Sequence, residues 1–172
     1  IDSDNEGYLY VIDAKTDVCF VYNNKGGFVA QIGTKGKKKE FGYLYKPTKV
    51  AVEPTGENIY IFDDNSTLRK INVYAKDAHG AYPYSRHDKV SEKVSSLKVN
   101  NYKRLMVSYA SESNPQEINF FNKDGTIERS LTGKDSFIVA KDYEVDDAEN
   151  IYILNNTDDV YVFKQQKLLR EK

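Results

Sequence analysis

Short apolar runs of about five residues alternate with polar turns along the whole chain, and no stretch keeps a helical period long enough to compete. The runs are rich in Val, Ile, Tyr and Phe and are bounded by Asn, Asp and Gly, which predicts strands joined by tight turns. Four runs align: Leu9-Tyr10-Val11-Ile12-Asp13, Ile59-Tyr60-Ile61-Phe62-Asp63, Leu105-Met106-Val107-Ser108-Tyr109 and Ile151-Tyr152-Ile153-Leu154-Asn155. Their first residues, 9, 59, 105 and 151, define a repeat of about 46–50 residues. Each aligned run follows a polar turn. In three repeats a shorter run ending in Val52, Val99 or Val145 comes before that turn.

After each aligned run comes another β-rich run: 18–22, 71–74, 118–121 and 160–163. Hairpin signals follow, clearest at Asn24-Lys25-Gly26-Gly27 and Lys123-Asp124-Gly125. The fourth runs, 28–32, 82–86, 127–131 and a short 168–170, are more polar. Four strands restated at this period predict an all-β β-propeller of four-stranded antiparallel blades, about four of them visible. The expected blades span about 1–33, 47–86, 95–132 and 141–170. Near-continuous apolar second strands need both faces covered, as stacked blades provide. Polar fourth strands suit an exposed rim, where Pro83 is tolerated in the 82–86 run.

In this alignment Ile1 is expected to match Val52, Val99 and Val145, so that the first blade lacks nearly all of its innermost strand. Two readings stay open: part of a larger ring, which six blades would extend to roughly 276 residues, or a four-bladed ring with an incomplete first blade. An open ring would expose two large blade faces and would associate.

Composition narrows the function classes. Lys plus Arg number 25 against 26 Asp plus Glu, a net charge of −1, which argues against a nucleic-acid partner drawn by overall charge. A single Cys rules out an internal disulfide, and two His make a multi-His metal site improbable. No apolar run reaches the length of a membrane-spanning helix. No nucleophile elbow, phosphate-binding loop or dinucleotide fingerprint occurs, so neither a cofactor nor a metal is expected. Cys19 is read as a small buried hydrophobe.

The phrase Gly7-Tyr8-Leu9-Tyr10-Val11-Ile12-Asp13, then 18–22, Lys25-Gly26-Gly27-Phe28-Val29, Ile32-Gly33 and Lys46-Pro47-Thr48-Lys49-Val50-Ala51-Val52, resembles an NHL-type propeller repeat. Repeats three and four depart from it, with Tyr109 and Asn155 where Asp13 and Asp63 stand. The resemblance implies the propeller fold and is similar in kind to six-bladed propellers of bacterial envelopes, hence an extracytoplasmic setting. It leaves activity open, since such propellers include binders, scaffolds, lactonase-like hydrolases and lyases.

Loops between second and third strands should share one face with the links between blades. Asp13, Asp17, Asp63, Asp64, Asn155, Asp158 and Asp159 recur there and could serve a cation, but turn chemistry explains them equally in every repeat. The first link offers Lys35, Lys37, Lys38, Lys39, Tyr43 and Tyr45, a basic and aromatic set able to hold an anion or stack a ring. The second link, 76–94, is the longest and offers Tyr84, Arg86 and His87, with His79 nearby. Lys49 and Asp142 precede innermost strands and are expected to look into the central channel. The main functional expectation is a non-catalytic binding or scaffold propeller for a protein, peptide or glycan partner, with the remainder of a larger propeller chain as a further expected partner. Its alternatives are a lactonase-like hydrolase or lyase using a channel-bound cation, and an RNA-binding propeller.

Overall fold

Among the described hairpins, apolar runs close against their neighbours through Asx-type or glycine turns, so the chain advances as a meander. The computed structural model describes residues 1–36, 41–109, 117–132, 140–146, 148, 150–155 and 159–164. Sheet one is β1 (Asp2–Ser3), β2 (Leu9–Asp13), β3 (Val18–Tyr22) and β4 (Phe28–Ile32). Sheet two is β5 (Pro47–Val52), β6 (Asn58–Asp63), β7 (Lys70–Ala75) and β8 (Tyr84–Lys89). Sheet three is β9 (Val94–Val99), β10 (Leu105–Tyr109), β11 (Glu117–Phe121) and β12 (Ile127–Thr132). Sheet four holds β13 (Ala140–Val145), β14 (Ile151–Asn155) and β15 (Val160–Phe163). The strand expected at 168–170 lies outside the described residues. Among the described residues no helix is long and apolar enough to cross a membrane.

The turns repeat as faithfully as the strands. In the inner hairpins the carboxylate of Asp4 accepts the amides of Glu6 and Tyr8, Asn100 those of Tyr102 and Arg104, and Asp146 those of Ala148 and Asn150. In the outer hairpins Asn23 accepts from Lys25 and Gly27, and Asp77 from His79 and Ala81. These side chains satisfy amides that a tight turn leaves without a ladder partner. Gly26, Gly80 and Gly125 take the equivalent left-handed position, φ 79°, 80° and 85°, where a side chain is strained.

Packing between sheets follows one rule. The face of sheet one holding Tyr10, Cys19 and Val21 packs on the face of sheet two holding Val50, Ile59 and Ile61. The opposite face of sheet two, with Tyr60, Phe62 and Ile71, packs on Leu97, Leu105 and Val107 of sheet three. Met106, Ile118 and Phe120 then pack on Tyr143, Ile151 and Ile153. Each fully buried aliphatic side chain contributes on the order of 1.5–3 kcal/mol. These contacts explain why β6 and β10 are apolar on both sides. The rim strand carries a register shift at the same place in three sheets, between Val21 and Tyr22, Val73 and Tyr74, and Phe120 and Phe121.

Two expectations are corrected. Ser3, not Ile1, pairs opposite Leu9 as Val52 does opposite Ile59, so the first sheet keeps three residues of its innermost strand position, Ile1 to Ser3. Ser3 stands six positions before Leu9, the same spacing as Val99 before Leu105 and Val145 before Ile151, whereas sheet two uses seven. The rim strand of sheet two is Tyr84–Lys89, not 82–86. Tyr84, Arg86 and His87 therefore lie on a strand, and the link to sheet three shrinks to 90–93.

Candidate functional site

Three inner strands begin with a bulge. Pro47 pairs with Asp63 and Lys49 with Phe62, leaving Thr48 extra. Ser95 is extra in β9, and Lys141 in β13. A bulge re-aims the side chain it carries, and Thr48 and Ser95 both line a cavity of about 610 Å³ at the link end of the inner strands. Lys49, Ser96, Lys98 and Asp142 line it too, together with Ile1 and Leu154, so all four sheets contribute.

Lys49, Ser96 and Asp142 hold the same register position in their sheets, opposite Phe62, Ser108 and Leu154. The Ser96 hydroxyl donates to Asp142 Oδ1 at 3.1 Å. Lys98 Nζ lies 2.6 Å from Glu144 Oε2 and 3.8 Å from Asp142 Oδ1. The hydroxyls of Ser95 and Ser108 share a 2.7 Å hydrogen bond. Lys49 makes no ion pair among the described residues. Among the described residues the cavity thus offers the ammonium of Lys49, several hydroxyls and one carboxylate, Asp142, already engaged by Ser96 and Lys98. It can hold polar groups by hydrogen bonding. Neither serine has a His base beside it, as nucleophilic catalysis would need.

Lys49 and Asp142, expected just before innermost strands, lie within β5 and β13, and both line this cavity. Thr48, Ser95, Ser96 and Lys98 were not singled out by sequence reasoning. Ser96 and Lys98 were within reach of it, because the repeat alignment puts Ser96 level with Lys49 and Asp142.

The first link forms a separate surface. Lys35 is ion-paired with Asp17 at 2.7 Å, and its backbone meets Leu44, whose side chain is fully buried. Asn72 Nδ2 donates to the Tyr43 carbonyl and Tyr74 Oη to that of Gly42, each at 3.2 Å. Asp63 accepts the amides of Tyr45 and Lys46 at 3.2 and 2.7 Å. Lys37, Lys38 and Lys39 lie outside the described residues. Phe41 stacks on the His87 ring with centroids 4.0 Å apart, and Tyr84 Oη is 2.7 Å from His87 Nδ1. Partial burial lowers the His87 pKa. Arg86 is engaged with Asp88 in the same strand. Phe41, Tyr43 and Tyr84 keep exposed ring surface. This patch shares no residue with the cavity.

The recurrent acidic residues are occupied structurally. Asp13 accepts the amides of Lys15 and Thr16, Asp63 pairs with Lys70, and Asp64 pairs with Arg69. Among the described residues no three His, Cys, Asp or Glu side chains gather as a metal site requires. Asp158 and the side chain of Asn155 lie outside the described residues. Cys19 is buried, and burial pushes its thiol up to about 12.

The sequence matches no family model and no curated protein. The fold is similar to solved structures. A Lactobacillus plantarum protein superposes with a TM-score of 0.64 at 20% identity, over 96% of this chain and 50% of that one. Hydrazine synthase from Kuenenia stuttgartiensis gives 0.64 at 13% identity, over 99% and 50%. Virginiamycin B lyase from Staphylococcus aureus gives 0.56 at 11% identity, over 96% and 55%. The chain spans about half the length of these structures. The architecture is that of a β-propeller, built here of three four-stranded sheets and one sheet with three described strands.

Proposed function

We propose that this chain is a non-catalytic binding propeller, of the NHL-like kind that the 7–13 and 25–29 phrases resemble, which takes a peptide or glycan partner on its link face. One observation carries the reading. The cavity at the link end of the inner strands presents Lys49, which makes no ion pair among the described residues, and bulge-aimed hydroxyls of Thr48 and Ser95, and among the described residues no base, nucleophile and orienting group meet there. The exposed rings of Tyr43 and Tyr84 form a second, separate surface that suits sugar rings or apolar peptide side chains.

A lactonase-like reading would need carboxylates open to a cation. Among the described residues the cavity holds a single carboxylate, Asp142, already engaged by Ser96 and Lys98, so this donor set does not fit one. An RNA-binding reading rests on the first link, where Lys35 is already paired with Asp17.

The test is a paired screen of immobilised glycans and peptides, with calorimetry on the hits. Lys49→Glu is expected to weaken binding by roughly tenfold or more, as loss and reversal of a charged hydrogen-bond donor should. Turnover of a lactone or glycosidic substrate by the wild type, lost in Lys49→Glu, would overturn the non-catalytic reading.

A further inference from the structure

In sheets one and two the loop between the second and third strands meets the link to the next sheet, and the two meetings differ in charge. Asp17 and Arg69 hold the same place, just before Val18 and Lys70, which pair opposite Asp13 and Asp63. Lys35 and Ser91 also hold a shared place, after Ile32 and Asp88, which pair opposite Cys19 and Ile71. In sheet one Lys35 and Asp17 neutralise each other at 2.7 Å. In sheet two Arg69 replaces the acid, Ser91 replaces the lysine, and Lys89 takes the place of Gly33. The 64–69 loop is also longer than its 14–17 equivalent and carries Ser66 and Thr67.

A cavity of about 490 Å³ opens at this second meeting. Ser66, Thr67, Arg69, Lys89 and Ser91 line it, and among the described residues no carboxylate does. Glu92 lines a neighbouring cavity that shares Lys89. Asp64, itself buried, accepts from Arg69 Nε at 3.1 Å, and the Ser91 carbonyl accepts from Nη1 at 3.4 Å. A guanidinium has five N–H donors, so these two bonds orient Arg69 and leave most of its fork unused. The loop is set as well. Buried Asn65 accepts the Thr67 amide through its side chain at 3.1 Å and the Leu68 amide through its carbonyl at 2.9 Å. The Val90 amide donates to the Arg69 carbonyl at 3.2 Å, which ties the link to the loop. Lys89 makes no ion pair among the described residues, and the adjacent Asp88 is engaged by Arg86.

We infer that this cavity binds a phosphate monoester. Such a group carries about −1.5 to −2 charges at neutral pH, which matches Arg69 and Lys89 together. Its oxygens can take the guanidinium fork, the ammonium and the hydroxyls of Ser66, Thr67 and Ser91 at once, whereas a carboxylate has only two oxygens to offer. The cavity shares no residue with the one lined by Lys49, so the assignment stands apart from the function proposed above.

Amide NMR of the isotope-labelled chain tests this, with titration by inorganic phosphate, methyl phosphate, sulfate and acetate at an ionic strength held with sodium chloride. Both phosphates are expected to give saturable shifts at residues 66–69 and 89–91, with sulfate and acetate weaker. Lys89→Gln is expected to weaken phosphate binding roughly tenfold or more, as loss of a charged donor should. Arg69→Gln is expected to do at least as much. Should Arg69→Gln melt without cooperativity because Asp64 loses its partner, Lys89→Gln alone decides. Lys25→Gln, in the outer hairpin of sheet one, removes the same charge elsewhere and is expected to change nothing. Absence of saturable shifts overturns the inference. So do shifts that Lys89→Gln does not reduce or that Lys25→Gln does, sulfate or acetate bound as tightly as phosphate, or a site that takes the free ion and refuses its methyl ester.

Discussion

Lys70 Nζ lies 3.0 Å from Asp63 Oδ2, and both side chains are fully buried between the second and third strands of sheet two and the incoming first link. The carboxylate has two more partners, the amides of Tyr45 and Lys46. Removing the cation would leave a buried carboxylate compensated by amides alone. Breaking a buried pair costs about 3–5 kcal/mol, whereas replacing both partners costs far less. Lys70→Met is therefore expected to lower stability by about that amount in urea unfolding. Asp63→Asn with Lys70→Met together should recover part of the loss.

Asn100 closes the inner hairpin of sheet three through its side-chain oxygen, while its Nδ2 is buried with no partner among the described residues. The equivalent residues of sheets one and four are Asp4 and Asp146. Asn100→Ala should cost about 1–2 kcal/mol, since two turn amides lose their acceptor. Asn100→Asp keeps the acceptor and removes the idle donor, so its melting temperature at neutral pH should match or exceed that of the wild type.

The His87 pKa is lowered first by burial, then by the charges of Lys70 and Lys89, against an opposing pull from Asp88. The folded state thus prefers the neutral ring. Below the ordinary value of 6.5 the unfolded chain takes up a proton that the folded chain refuses, so stability falls as pH drops through that region and levels off below the folded pKa. Urea midpoints compared at about pH 7.5 and pH 5.5 should show a fall for the wild type. The fall should be smaller for His87→Gln.

The Cys19 thiol is pushed up to about 12 by burial and is enclosed between sheets one and two. Only the thiolate attacks a disulfide reagent. At neutral pH labelling of the native chain should be negligible, and its rate should follow unfolding as urea is added. Rapid labelling without denaturant would contradict the packing of Cys19 against sheet two.

The strand order and the turns were legible because each repeat restates them, and because Asn23, Asp77 and Asn100 act through bonds local to their own turns. Position along the rim was less legible. The rim strand Tyr84–Lys89 is Tyr-Ser-Arg-His-Asp-Lys, without apolar alternation, because little of it is buried. Tyr82 and Pro83 look more strand-like, yet the Asp77 turn fixes the hairpin and sets Tyr84 opposite Tyr74. Lys49 and Asp142 could be placed at the cavity from repeat phase alone. Thr48 and Ser95 could not, because a bulge arises from an extra residue between paired neighbours and leaves no periodic trace. The aromatic patch joins Phe41 to His87 across 46 positions of sequence, a contact that only the docking of the first link creates.

That docking has a consequence for recognition. The stretch before β5 is anchored from beneath through Asp63, Asn72 and Tyr74, so Tyr43 and its neighbours are held in shape before any guest arrives. Freezing a loose loop on contact would subtract about 0.5–1.5 kcal/mol for each side chain stilled. A landing pad already set by folding avoids that subtraction, and favours fast, reversible capture over slow moulding around the guest.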